Sequence, residues 1–118
     1  MGIGERGRTM QKVDGNIVII SESNDLDMYE VDKFAKSIWQ KEIEEGHHLI
    51  LDLSLSNYID AYGIRAILQC RKQATDLGLN FGVVPSTPLN RLADILRIGQ
   101  SMLPRFNTIE DAIQAFSS

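Results

Sequence analysis

The stretch HLILDLSLSNYIDAYGIRAILQCRKQATDLG, residues 48–78, decides the fold. It opens with His48-Leu49-Ile50-Leu51-Asp52-Leu53, a nearly unbroken apolar run. Such a run suits a strand covered on both faces, because an alternating pattern would leave one face wet. It continues into Ile64, Ile67, Cys70, Ala74 and Leu77, spaced as one face of a helix. Gly78 stands where a helix commonly ends, since glycine takes a left-handed conformation at little cost. A buried strand feeding a helix is the repeating unit of an α/β fold.

The same unit appears on either side. Upstream, Asp14-Gly15 followed by Asn16 marks a tight turn in QKVDGNIVII, so residues 11–20 read as a hairpin. Its second arm, Ile17 to Ile20, is a β-branched run of the buried type. Asp27 and Glu30 have capping-box spacing ahead of Val31, Phe34, Ala35 and Ile38, with Trp39 at the flank and a stop expected near Gly46. Downstream, Asn80–Val84 reads as a short strand. Thr87-Pro88 reads as a cap followed by proline in the first turn. Leu89, Leu92, Ala93 and Leu96 form the stripe of that helix. An extended piece is expected after Pro104. Thr108 and Asp111 then cap a last helix whose inner face is Ile109, Ala112, Ile113 and Phe116. The expected fold is α/β, with a four- to five-stranded mixed sheet and about four helices.

The chain has 118 residues, 43% hydrophobic and 24% charged, which is room for a single core. Residues 1–10 are glycine-rich and charged, and read as a flexible tail ahead of a domain over 11–118. Gly2, Gly4 and Gly7 match a dinucleotide fingerprint by letter, but no strand precedes them. A net charge of −4 argues against a nucleic-acid partner, which needs a basic face to displace counterions. No apolar run is long enough for membrane insertion, and no secretory leader is read at the N-terminus. Arg6 stands where a myristoylation motif wants Ser or Thr. The single cysteine, Cys70, fits a reducing compartment, so a cytoplasmic location is expected.

Chemistry has little to work with. His47 and His48 are neighbours on a strand and point apart, so no metal site is expected. Cys70 lies on an apolar helix face and reads as a small buried hydrophobe. No nucleophile elbow, phosphate loop or acid–base pair can be named, so no catalytic residue and no cofactor are expected. One junction stands out, Asn57-Tyr58-Ile59-Asp60-Ala61-Tyr62-Gly63-Ile64. A strand-to-helix junction offers free N–H groups and commonly hosts sites in α/β folds. Gly63 weakens the first helical turn, which points to close approach of a neighbouring loop or a partner. Tyr62 is expected to stand exposed. The same residues are also consistent with a plain cap at Asp60 and a Tyr62 that covers a core edge. In the third helix Ile95, Ile98 and Met102 lie off the stripe. They either extend a binding surface or, for at least one of them, meet the C-terminal segment.

Three segments in order, LILDLSLSNYID, AYGIRAILQCRKQATDLG and NFGVVPSTPLNRLADILRIG, resemble the STAS domain of bacterial anti-sigma factor antagonists. IVIISESNDLD and TIEDAIQAF fit the same pattern, so the resemblance spans roughly residues 11–117. It implies a regulator of transcription by partner switching. In that family the antagonist binds an anti-sigma factor that is also a GHKL-type serine kinase. Phosphorylation at the start of the second helix breaks the complex, and a PP2C-type phosphatase restores it. The family motif there is Asp-Ser-[Ser/Thr]-Gly. Here it reads Asp60-Ala61-Tyr62-Gly63, with Tyr62 in the phospho-acceptor position. The resemblance implies partner contact by Asp27, Asn57, Asp60, Ala61, Tyr62 and Gly63. It leaves several readings open: a constitutive binder, control at Ser54 or Ser56 instead, phosphorylation of Tyr62 itself, a stressosome-like scaffold, or the STAS subunit of a lipid transporter. A homodimer is compatible with all of them, and a nucleotide- or anion-binding module is the reading of a different class.

Overall fold

The computed structural model describes residues 9–39, 43 and 47–117. The hairpin comes first: β1 (Thr9–Asp14) and β2 (Ile17–Glu22) pair antiparallel, with Asp14 opposite Ile17. Only Gly15 and Asn16 lie between them. Gly15 has φ +62°, as the first loop position of a II′ hairpin turn requires. β1 therefore begins at Thr9, two residues ahead of the boundary expected from the sequence. Of the tail read over residues 1–10, Thr9 and Met10 belong to β1, while residues 1–8 and the helix stop near Gly46 lie outside the described residues.

α1 (Val31–Trp39), β3 (His48–Asp52), α2 (Ala61–Asp76), β4 (Asn80–Val84), α3 (Thr87–Ile95) and α4 (Ile109–Ser117) follow. The sheet runs β1-β2-β3-β4, with β2, β3 and β4 parallel. The extended piece after Pro104 contributes a single bridge, Arg105 to Val83, so the sheet has four strands among the described residues.

Alternation along the parallel strands sorts the core into two layers. Val18, Ile20, Leu49, Leu51, Phe81 and Val83 meet α1, α2 and α3 on one face. Ile19, Ile50 and Val84 meet Ala112, Ile113 and Phe116 on the other. Both faces are thus covered, which is why the strands read as continuous apolar runs. Each large side chain fully buried here contributes about 1.5–3 kcal/mol of transfer free energy. Cys70 is buried as expected, and burial pushes its thiol up to about 11.

Helix ends account for the differences from the sequence reading. Ser86, not Thr87, caps α3: its Oγ accepts from the Leu89 N–H at 3.3 Å, and Pro88 sits one place further in. Both residues carry a hydroxyl, and the extended conformation of the cap falls on the first. Leu77 and Leu96, expected on buried stripes, are the C-caps of α2 and α3 and are exposed. In both cases the chain turns away in a paired Schellman arrangement. Leu79 and Gly78 N–H donate back to the Ala74 and Thr75 carbonyls, and Ile98 and Arg97 N–H donate to those of Ala93 and Asp94. The left-handed position is Gly78 in one and Arg97, at φ 57°, in the other. Leu79 and Ile98 then take the buried places. Of the three off-stripe residues, Ile98 is core, while Ile95 and Met102 are exposed.

Candidate functional site

The C-terminal ends of β2 and β3 release two loops that run side by side. Leu26 bridges Ile59 in parallel register. The Leu26 N–H donates to the Tyr58 carbonyl at 2.9 Å, and the Asp60 N–H to the Leu26 carbonyl at 3.4 Å. Partners in a parallel bridge face the same way, and Leu26 and Ile59 both turn inward. Their neighbours Asp25, Asp27, Tyr58 and Asp60 therefore turn outward.

Each loop ends in a carboxylate that caps a helical turn. Asp27 Oδ1 accepts from the N–H groups of Tyr29 and Glu30, both at 2.9 Å, and the Asp27 carbonyl accepts from Val31 N–H. Asp60 Oδ1 accepts from Gly63 N–H at 3.0 Å. Its other oxygen accepts from Met28 N–H at 3.2 Å, across the gap between the loops. Asp60 thus caps its own helix and also holds the approach to α1. The α2 N-terminus already carries a carboxylate, and a ligand anion placed there would meet that charge.

Gly63 is buried beneath this joint. A Cβ built on it would lie 2.1 Å from the Leu26 carbonyl oxygen and 2.8 Å from Ile59 Cγ1. The neighbouring loop is therefore what requires glycine at this position. Ala61 and Tyr62 face outward, with Tyr62 54% exposed, and Asn57 is exposed as well. The two serines of the loop differ. Ser56 is 2% exposed, its hydroxyl within bonding distance of the Glu22 and Asn24 carbonyls at 3.0 and 2.9 Å. In this conformation it is closed to a kinase. Ser54 is exposed and donates from its hydroxyl to Asp52 Oδ1 at 2.6 Å.

Four further apolar side chains join this surface: Tyr58 from the singled-out junction, and Met28, Tyr29 and Leu55, which the sequence alone does not assign to it. Nine large apolar side chains are exposed among the described residues, and these four with Tyr62 are five of the nine. The sequence does carry a sign of them. They are apolar residues in turn segments that follow neither helical nor strand periodicity, set among acids. Among the described residues no three His, Cys, Asp or Glu side chains converge as a metal site, and no helix is long and apolar enough to cross a membrane.

Sheet order, helix placement and this joint define a small α/β domain that displays a loop surface. The sequence profile of the STAS domain matches residues 8–112. The chain belongs to the STAS domain family. Among solved structures, an anti-sigma factor antagonist from Mycobacterium paratuberculosis matches at TM-score 0.82 with 20% identity, covering 94% of each chain. A protein described as a candidate anti-sigma factor antagonist, from Thermotoga maritima, matches at 0.80 with 19% identity, covering 93% of this chain and 95% of that one. The murine anion transporter Slc26a9 matches at 0.74 with 19% identity, over 90% of this chain and 18% of the transporter. No curated protein matches the sequence.

Proposed function

We propose that this chain is a cytoplasmic anti-sigma factor antagonist. It binds a GHKL-type anti-sigma factor through the paired loops and the first turn of α2. The observation that carries the reading is the joint at Asp60 and Gly63, which fixes both loops and turns Tyr62 outward. The family membership and the two antagonists matched over nearly their whole length support it. Asp27 and Asp60 shape the surface, while Asn57, Ala61 and Tyr62 offer side chains to a partner. Gly63 acts from beneath.

Control at the usual position is absent in this reading. Tyr62 carries no aliphatic hydroxyl, and its phenol lies several ångströms further out than a serine Oγ would. The antagonist therefore binds without being switched off there, and a PP2C-type phosphatase has no substrate at that residue. The test is calorimetric titration with the GHKL-type anti-sigma factor of the same organism, in the presence of ATP. Binding is expected, together with loss of binding in Tyr62→Glu and no phosphate incorporated at residue 62. Undiminished binding by Tyr62→Glu removes this surface from the contact. Heat on titration with nucleotide alone favours the small-ligand module instead.

A further inference from the structure

The loop surface is apolar at its centre and net acidic. Residues 23–32 contain Asp25, Asp27, Glu30 and Asp32, and residues 49–64 contain Asp52 and Asp60. Neither segment contains a lysine, arginine or histidine. These segments carry six carboxylates while the whole chain carries −4, so the remainder of the molecule is net positive. Two helix N-termini lie behind the surface, and each offsets roughly half a charge. Exposed Lys33 and Arg65 border the two segments, and together with these half charges they still fall short of six, so the surface keeps a net negative field. Within it stand Met28, Tyr29, Leu55, Tyr58 and Tyr62, all at least 48% exposed. Aromatic residues of this kind anchor interfaces by filling apolar recesses.

From this pairing we infer that the docking face of the partner is an apolar recess edged by lysine and arginine. The inference rests on the reading of this surface as the docking face, and it adds the chemistry of what docks. The recess takes the tyrosines. The basic edge answers the carboxylates and steers the encounter from beyond contact distance. An acidic partner, or an anionic lipid surface, would be repelled before the tyrosines could reach it.

The test needs no knowledge of the partner. Two synthetic amphipathic peptides share one leucine face, and one is edged by lysine, the other by glutamate. Each is titrated into the whole ¹⁵N-labelled chain. The lysine peptide is expected to shift the amides of residues 25–32 and 54–63 and to bind about tenfold more weakly to Asp25→Lys/Asp32→Lys, or on raising salt from 50 to 500 mM, each ~tenfold effect being of the size electrostatic steering commonly gives. The glutamate peptide is expected to leave those amides unmoved. Equal shifts with both peptides overturn the inference, as do shifts confined to Arg91–Met102 or no shifts at all. If the lysine peptide maps to this surface while the GHKL-type factor does not bind, the surface chemistry stands and the proposed function falls. If the factor binds but neither the salt nor the charge reversal weakens it, the proposed function stands and this inference falls.

Discussion

Replacing Gly63 with alanine tests the joint directly, because two effects of opposite sign compete. In an ordinary helix the change stabilises by about 1 kcal/mol, since glycine pays more backbone entropy. Here the new Cβ starts 2.1 Å from the Leu26 carbonyl oxygen, whereas ordinary contact begins at 3.4 Å. The carbonyl must retreat by about 1.3 Å, and Ile59 must also give way. That retreat breaks the Asp60-to-Leu26 backbone bond and strains the Met28-to-Asp60 one. Overpacking costs about 1–3 kcal/mol and each lost bond about 1 kcal/mol. After the helix preference is credited, the net loss is about 2 kcal/mol. Urea unfolding followed by the fluorescence of the single tryptophan, Trp39, should show the midpoint falling by about 1 M with an unchanged slope. Gly99→Ala serves as control, since a Cβ there meets nothing within 4 Å. It should be neutral or mildly stabilising. A Gly63→Ala variant as stable as the wild type would refute the reasoning, because the loop would then be free to move aside.

Arg97→Gly should stabilise by about 0.5–1 kcal/mol, because Arg97 holds the left-handed end of α3 that glycine takes without penalty. Thermal unfolding reads this as a rise of a few degrees. Stability should also fall as pH rises from 9 to 11. The unfolded chain then sheds the Cys70 proton while the folded chain, with its thiol at about 11, keeps it. Cys70 contributes a slope of up to about 1.4 kcal/mol per pH unit, and Cys70→Ala should remove that contribution.

Much of this was legible in the sequence because the responsible patterns are local. The β-branched run at Ile17–Ile20 and the Leu49–Leu53 stretch announced strands with two covered faces. Gly78 announced the end of α2, and Gly15 the hairpin. Leu77 and Leu96 were misplaced because helical spacing was carried one residue past the last turn, into caps where the phase changes. Arg97 gave no sign of its conformation, since nothing in a lone arginine requires a positive φ. The joint was half legible. Gly63 pointed to a close approach, but the approaching group, the Leu26 carbonyl, comes from 37 residues away and belongs to another loop. Ser54 and Ser56 looked alike in the sequence, and only the inward turn of Ser56 onto the Glu22 and Asn24 carbonyls tells them apart.

One carboxylate, that of Asp60, is shared between the cap of α2 and the turn that leads into α1, while the side chain two residues on points to solvent. The residues that hold the loops are thus different from the residue on display. Position 62 can be exchanged, serine for tyrosine or the reverse, without disturbing the Asp60–Gly63 cap or the loop contact beneath it. A domain built in this way can change what it displays at one position while the frame beneath keeps its shape. The two loops are tied to each other by hydrogen bonds within the chain, so a partner of the kind proposed would find them already held together.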